Sequence, residues 1–172
     1  MIAVILYLLG IALFVAFDQL TKLWAVNSLQ KVGQVPVIGD GIRFTYTENI
    51  GAAFSLLQGQ RILLLIVPGL MSLLCLGVII SRKLGSVLGD ISLMLVVAGG
   101  IGNIIDRARL GYVIDFIDFH VINFAIFNVA DSCVTIGAAL FVIFIICKEA
   151  ASSKKSGGGS HSKSDIFTRR RV

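Results

Sequence analysis

Long apolar runs alternate with shorter polar stretches along the chain, and this pattern predicts four membrane-spanning helices. The clearest run, residues 62–80, contains no charged residue and lies between Arg61 and the pair Arg82 and Lys83. A helix needs about 20 mostly apolar residues to cross a bilayer. Four segments meet this requirement, and we predict spans at about residues 1–20, 61–81, 84–106 and 127–148.

The first run also resembles a secretory signal peptide in its apolar character. However, it lacks a basic segment at its start, and Asp18 and Lys22 follow it where a small-residue cleavage site would be expected. We therefore interpret residues 1–20 as a retained span.

Two of the polar stretches between the spans have apolar residues at every second position, which is the pattern of a β-strand. Ile42, Phe44 and Tyr46 alternate in the first stretch, and Ile114 and Phe116 alternate in the second. Open strand edges are not stable within lipid, so we place a small sheet on the outer membrane surface. The predicted fold is an all-α membrane protein, a four-helix transmembrane bundle with a small extracytoplasmic β-sheet.

Composition and charge agree with an integral membrane protein of one domain. The 172 residues are 56 % hydrophobic and 15 % charged, with a mean hydropathy of +0.92. Soluble domains have about 45–50 % apolar and about 25 % charged residues. Basic residues cluster between spans two and three and after span four, which argues against nucleic-acid binding and places both regions in the cytoplasm. We predict a membrane domain over residues 1–148, a basic flexible cytoplasmic tail over residues 149–172, and both termini inside.

Helix packing explains several small residues of the spans. Cys75, Cys133 and Cys147 lie in or beside apolar runs, and we interpret all three as buried free cysteines, which behave as small hydrophobic residues. Three glycines of the third span, residues 99, 100 and 102, permit close approach of neighbouring helices.

With this topology, most carboxylates that flank a span fall at its outer end. Asp40, in a turn, and Asp90, near the inner side, are the exceptions. A charge within a span costs about 2.5–3.5 kcal/mol on insertion scales, so such residues are candidates for function. Asp131, near the start of the fourth span, is the clearest case. An aspartate at this point can also serve only as a helix cap, because the helix dipole favours a negative charge at the N-terminus.

Paired carboxylates at a membrane surface can perform aspartyl protease chemistry without a metal or other cofactor. Two such groups in close contact share one proton, so that one activates a water molecule while the other donates to a carbonyl oxygen. Their spacing along the chain does not bring Asp115 and Asp131 together. A strand that folds back over the start of span four would do so.

Three other kinds of site have weaker support. His120 is one histidine among the carboxylates of the second outer loop, which is a poor set of zinc ligands. Cys133 has no histidine near it in sequence to activate a thiol nucleophile. Ser55 or Ser132 could pair with Lys22 as a Ser–Lys dyad, and nothing else in the sequence favours that arrangement.

Five motifs in a fixed order make the chain resemble the bacterial lipoprotein signal peptidases (signal peptidase II). They are DQLTK at 18–22, NIGAAF at 49–54, GNIIDR at 102–107, VIDF at 113–116 and FNVADS at 127–132. The resemblance covers about residues 1–148. It implies an aspartyl endopeptidase of the bacterial cytoplasmic membrane, with its site facing the outer side. This enzyme would cut a diacylglyceryl-modified prolipoprotein before the lipidated lipobox cysteine.

The resemblance also implies roles for individual residues. Asp115 and Asp131 match the catalytic pair. The expected partners are the prolipoprotein substrate, membrane lipids and globomycin-type inhibitors, and no metal or other cofactor is expected. The chain departs from the family pattern at residues 124–126, which form the expected rim of the cleft. The positions matched to structural support or to substrate contact are Asp18, Lys22, Asn49, Gly51, Asn103, Asp106, Arg107, Asn128 and Ala130.

Three other functions are open at this point. A proton-coupled transporter would place its acids near the bilayer midplane and show internal repeat symmetry. A presenilin-type protease would carry a Gly-x-Gly-Asp motif, whereas Gly102 is followed by Asn103. A scaffold without enzymatic activity would leave Asp115 and Asp131 replaceable.

Overall fold

The computed structural model describes residues 1–39, 41–51, 56–122 and 124–157, with side chains as far as residue 153. Its four long helices each have the length and composition to cross a membrane. The predicted four-helix bundle with a small sheet is therefore confirmed. In chain order the elements are α1 (Ile2–Leu29), β1 (Gln34–Ile38), β2 (Ile42–Asn49), α2 (Arg61–Ser81), α3 (Val87–Arg109), β3 (Val113–Phe119), a 3-10 turn (His120–Ile122) and α4 (Val129–Gly157).

Helix α1 continues to Leu29, beyond the predicted span of residues 1–20. Its buried residues include Asp18, Lys22, Ala25 and Leu29, which follow one another at intervals of three or four. Residues at this spacing lie on one face of a helix. The added turns therefore present a single face to the rest of the protein, polar at its start and apolar at its end.

Helix α3 lies at the centre of the bundle and packs against α1, α2 and α4. Its glycines make the close approach possible, as predicted. A Cβ atom added at Gly102 would lie 2.6 Å from Asp18 Oδ2, and one at Gly100 would lie 2.7 Å from a serine hydroxyl of α2. One added at Gly99 would collide with the Ala130 carbonyl oxygen. The three positions tolerate no side chain without movement of a neighbour.

The sheet is antiparallel with the strand order β1-β2-β3, and it rests on the last turns of α1. Ala25 and Leu29 of α1 form an apolar cluster with Ile114 and Phe116 of β3. Trp24 adds an edge contact with Phe116, with ring centroids 6.0 Å apart. This packing holds β3 against the bundle, and β3 carries the aspartates of the second outer stretch.

The chain connections place the sheet at one end of the bundle, where α1 and α3 end and α2 and α4 begin. At the opposite end, Arg82 of the α2–α3 turn brings its Nε atom within 3.9 Å of Asp90 Oδ2. Asp90 is buried in the first turn of α3. Which end faces the cytoplasm stays a prediction.

The structure differs from the sequence prediction in the burial of one cysteine and in the length of the last helix. Cys75 and Cys133 are buried, but Cys147 is exposed, so its predicted burial is wrong. It lies on the outward face of α4, where lipid would surround it. Helix α4 also extends beyond residue 148 to Gly157. Residues 158–172 of the predicted tail, which include the triple-Arg sequence, lie outside the described residues, as does Asp40.

Candidate active site

A single residue, Asn128, brings Asp115 and Asp131 to one place. After β3 the chain turns back, and Phe127 pairs with Ile117, donating its N–H to the Ile117 carbonyl oxygen over 3.1 Å. Asn128 then lies beside β3, and its side-chain amide donates to Asp115 Oδ1 over 2.6 Å. Helix α4 begins at the next residue, so Asp131 follows in its first turn. The chain after β3 therefore folds back over the start of α4, which is the arrangement needed to bring Asp115 and Asp131 together.

Asn128 and Asp131 form a reciprocal cap at the start of α4. The Asn128 backbone N–H donates to Asp131 Oδ2 over 3.2 Å, and the Asp131 backbone N–H donates to Asn128 Oδ1 over 2.9 Å. This is the arrangement of a capping box. The other oxygen of Asp131 accepts a 2.7 Å hydrogen bond from the side-chain amide of Asn103. Capping therefore accounts for only one of the two carboxylate oxygens.

The environment of Asp115 favours its neutral form. Asp115 is 2 % exposed, and its Oδ2 atom accepts a 2.9 Å hydrogen bond from the Asn49 side chain. Burial raises the pKa of the Asp115 carboxyl to about 7, and the negative charge of Asp131 adds to this rise. Hydrogen bonds from Asn49 and Asn128, and the positive charge of Lys22, oppose the rise in pKa.

A buried ion cluster lies behind the two aspartates. Lys22 Nζ is 2.9 Å from Asp18 Oδ2 and 2.9 Å from Asp106 Oδ2, and it donates to Asn103 Oδ1 over 3.0 Å. Asp18 also accepts the Ala130 backbone N–H over 2.9 Å. This cluster ties α1, α3 and α4 together directly beneath the candidate site.

Two residues that the sequence analysis missed complete the polar network. Gln19 donates to Asp106 Oδ1 over 2.9 Å and to Asp18 Oδ2 over 3.2 Å, and so bridges the two acids around Lys22. Arg61, at the start of α2, donates to the Arg107 carbonyl oxygen over 2.8 Å at the end of α3. Gln19 lies inside the DQLTK motif and Arg61 flanks a span, but neither position indicated its partner.

Arg107 and Asn49 connect the cluster to the loop that follows β2. Arg107 donates to the Gly51 carbonyl oxygen over 2.8 Å, and the Gly51 N–H donates to Asn49 Oδ1 over 2.9 Å. The Asn49 amide is thereby oriented with its N–H groups toward Asp115. The remaining residues of the second motif, 52–54, lie outside the described residues, as does Ser55.

A cavity of about 640 Å³ opens onto the two aspartates. Asn49, Asn103, Arg107, Asp115 and Asp131 line its polar part. Residues 124–126, where the chain departs from the family pattern, form another part of the lining together with Phe127. The apolar walls come from α2, α3 and α4, namely Leu64, Pro68, Gly100, Val134 and Ile136.

Apart from Asn128, the supporting residues predicted from sequence fall into two groups. Asn49, Asn103 and Arg107 line the cavity and are placed to contact a ligand. Asn128 is fully buried between the two aspartates. The members of the second group are buried behind the cavity or beside it, namely Asp18, Lys22, Gly51, Asp106 and Ala130.

Among the described residues, the groups of the weaker candidate sites are exposed, paired with other residues or buried in the core. His120 is exposed in the turn after β3, and Asp118 is paired with Arg43 over 3.3 Å. Within the part of the chain that the structure describes, no group of three or more His, Cys, Asp or Glu side chains could hold a metal. Cys133 packs in the apolar core, and the Ser132 hydroxyl donates to the Asn128 carbonyl oxygen over 3.0 Å.

Comparisons with known proteins agree with one another. The family described as signal peptidase (SPase) II matches residues 10–147. A lipoprotein signal peptidase of Clostridioides difficile (strain 630) is 39 % identical over 147 residues, which is 86 % of this chain and 99 % of the relative. One from Streptococcus agalactiae (strain NEM316) is 43 % identical over 151 residues, 87 % of this chain and 92 % of the relative. A bacterial membrane enzyme solved by the in meso method at 2.3 Å superposes with a TM-score of 0.77 and 31 % identity, over 84 % of this chain and 90 % of the other.

Proposed function

Because the chain belongs to the signal peptidase II family, we propose that it is an aspartyl endopeptidase with Asp115 and Asp131 as its catalytic pair. The family acts on prolipoproteins and removes their signal peptides. The substrate we propose is a prolipoprotein that carries a diacylglyceryl group, cut immediately before the lipidated cysteine. Globomycin-type inhibitors would compete for the same cavity.

The observation that carries this proposal is the position of Asn128 between the two acids. Its side chain donates to Asp115 over 2.6 Å, while its backbone and side-chain oxygen hold Asp131. Both carboxyl groups line one cavity. Two acids held at one cavity surface can share one proton, so that one acts as a base toward water while the other donates a proton to the carbonyl oxygen of the peptide bond.

The reaction needs only water and the two carboxyl groups. The ionised carboxylate removes a proton from water, and the water oxygen bonds to the carbonyl carbon of the substrate. The protonated carboxyl group donates its proton to the carbonyl oxygen, which gives a neutral diol. The first carboxyl then returns its proton to the amide nitrogen as the C–N bond breaks, and the second carboxylate takes a proton from a diol hydroxyl. Both groups end in their starting states.

The shape of the cavity suits a substrate that is held in a membrane. Its apolar walls lie on α2, α3 and α4 and include Leu64, Pro68 and Val134. A signal peptide could enter between these helices while the acyl chains of the lipidated residue stay in the bilayer. The distribution of Lys and Arg supports a topology with both termini on the cytoplasmic side of the inner membrane, and the catalytic pair would then face outward.

Cleavage of a defined substrate tests this proposal. Purified full-length protein in detergent is incubated with a diacylglyceryl-modified prolipoprotein, and the products are identified by mass spectrometry. The matched control is the same prolipoprotein without its lipid. We expect a single cut before the lipidated cysteine and little or no cleavage of the control. Cleavage at another bond, or equal cleavage of both substrates, would contradict the proposed substrate class.

A further inference from the structure

We propose that Lys22 is a positioning residue which, through Asn103, holds Asp131 as the ionised carboxylate, so that Asp131 activates water and Asp115 donates the proton. The inference rests on the proposed function, because it divides the two catalytic roles between the two acids. It also removes Lys22 from the residues that would contact substrate.

All three N–H donors of the Lys22 ammonium group are occupied. Its ammonium group carries three N–H bonds and no acceptor. Its three partners are Asp18 Oδ2 at 2.9 Å, Asp106 Oδ2 at 2.9 Å and Asn103 Oδ1 at 3.0 Å. The side chain is 2 % exposed. A substrate in the cavity therefore cannot reach Lys22, and any effect of its charge must pass through its partners.

Lys22 also fixes the orientation of the Asn103 amide. An ammonium group can only donate, so the atom that faces it must be the Asn103 oxygen. The same oxygen accepts a 3.2 Å hydrogen bond from the Asn128 side chain. The Asn103 nitrogen must then face the other way, where it donates to Asp131 Oδ1 over 2.7 Å. A positive charge on the far side of the amide strengthens this donation, since hydrogen bonds in a chain polarise one another.

The two acids differ in their surroundings. Asp131 has the Asn103 amide on one oxygen and the N-terminal turn of α4 on the other, and a helix N-terminus favours a negative charge. Asp115 lies on strand β3, and its carboxylate accepts hydrogen bonds from the side-chain amides of Asn128 and Asn49. Its second amide partner, Asn49, is the last residue of β2 and is itself oriented by the Gly51 backbone N–H. The structure thus stabilises a charge on Asp131 more strongly than one on Asp115.

Charged groups face Asp131 from three elements. Helix α1 contributes Lys22 and Asp18, which act on it with opposite signs. Helix α3 contributes Arg107, whose charge acts on Asp131 and Asp115, and strand β3 contributes Asp115 itself. Asp106, also on α3, is already paired with Lys22. Among the described residues, Lys22 and Arg107 are thus the cations that act on the pair. Lys22 is linked to Asp131 through a single amide, that of Asn103, whereas Arg107 reaches Asp115 only through Gly51 and the Asn49 amide.

The consequence for the reaction is a definite direction of proton movement. Asp131 takes a proton from water as the water oxygen bonds to the carbonyl carbon, and Asp115 gives its proton to the carbonyl oxygen. In the second half Asp131 protonates the leaving nitrogen, and Asp115 recovers a proton from the diol. Activity then rises with pH as Asp131 ionises and falls as Asp115 loses its proton.

The pH dependence of kcat/KM in two variants tests whether Lys22 acts on Asp131 through Asn103. The double substitution Lys22→Met with Asp18→Asn removes the contact between Lys22 and Asn103. It leaves the net charge of residues 18, 22 and 106 unchanged, because the negative charge of Asp106 then equals the former sum of the three. Asp106 keeps hydrogen bonds from Gln19 and from the Ile114 backbone N–H. The single substitution Asp18→Asn is the matched control, because it leaves Lys22 and Asn103 in contact.

We expect the acidic limb of the double variant to lie about one pH unit above that of Asp18→Asn, as a lost cationic neighbour requires. The positive charge of Lys22 also lowers the pKa of Asp115, so the basic limb should move in the same direction, but by less than the acidic limb. Equal limbs with a lower kcat would show that Lys22 is only structural, and a basic limb that moves further than the acidic limb would reverse the roles of the two acids. Failure of the wild type to cleave any prolipoprotein is a different result, because it contradicts the proposed function itself.

A second measurement covers the case in which the double variant does not fold. Wild-type protein labelled with ¹³C at the aspartate side-chain carboxyls is titrated in micelles, with the two resonances assigned from Asp115→Asn and Asp131→Asn. We expect Asp131 to be ionised at a pH where Asp115 is still protonated. The reverse order would overturn the assignment, whether or not the preparation is active.

Discussion

The Asn128 side-chain amide donates to Asp115 over 2.6 Å, the shortest hydrogen bond among those that hold this acid. Asn128 is also the residue that caps helix α4. One side chain therefore sets the position of a strand-borne acid relative to the helix that carries the other acid. Its two tasks can be separated by substitution.

We expect Asn128→Ala and Asn128→Ser to lower kcat by about 100-fold each, since a displacement of about 1 Å in a reacting group has that effect. Serine can still cap a helix but is too short to hold Asp115. Only Asn128→Ala should therefore lose about 1 kcal/mol of stability through the cap. The test is thermal unfolding beside a cleavage assay of each variant. Nearly normal activity of Asn128→Ser would show that the bridge to Asp115 is not needed.

The raised pKa of Asp115 predicts a fall in activity on the alkaline side. The carboxyl must be protonated to donate, so kcat/KM should decline as the pH rises through the Asp115 pKa of about 7. The Asn49 hydrogen bond lowers this pKa. Asn49→Ala should therefore move the basic limb to higher pH. A movement to lower pH, or a profile that stays flat well above neutrality, would contradict the role given to Asp115.

The close contact of α3 with α1 predicts a large effect from a very small substitution. Gly102→Ala would place a methyl group 2.6 Å from Asp18 Oδ2, and overpacking of this kind costs about 1–3 kcal/mol. Gly77→Ala on α2 is the matched control, because an added Cβ there meets nothing within 4 Å. We expect a lower melting temperature only for Gly102→Ala, together with reduced activity. Equal melting temperatures would show that the helices can separate without loss.

The carboxylate mechanism predicts that metal chelators have no effect on cleavage. EDTA at a concentration that strips zinc enzymes should leave kcat and KM unchanged, and His120→Ala should behave like the wild type because His120 is exposed in a turn. The assay is the same prolipoprotein cleavage with and without chelator. Inactivation by EDTA that added zinc reverses would replace the proposed mechanism with a metal-dependent one.

The sequence predicts the helices and strands well because each depends on a local pattern. Apolar runs of the required length identify the four spans, and alternation around Phe44 and Phe116 identifies strands β2 and β3. The extension of α1 to Leu29 was missed because its last turns carry polar residues among apolar ones. Their buried face becomes apparent only when the sheet packs on Ala25 and Leu29.

The candidate site is harder to predict because it depends on contacts between distant residues. Motif resemblance names Asp115 and Asp131, but the pairing of Phe127 with Ile117 that places Asn128 between them has no local signal. The same holds for Gln19 of α1, which donates both to Asp18 beside it and to Asp106 on the neighbouring helix α3. The sequence also assigned Lys22 to a group with possible substrate contact, whereas its burial places it behind the cavity.

Three purified proteins test whether Asp115 and Asp131 perform the cleavage. Wild type, Asp115→Asn and Asp131→Asn are purified in detergent and assayed with the same diacylglyceryl-modified prolipoprotein, after matched thermal unfolding and globomycin binding show that all three are folded. We expect cleavage by the wild type and a loss of at least about 1,000-fold in kcat for each variant, as removal of a catalytic acid or base entails. Appreciable turnover by either folded variant would contradict this expectation.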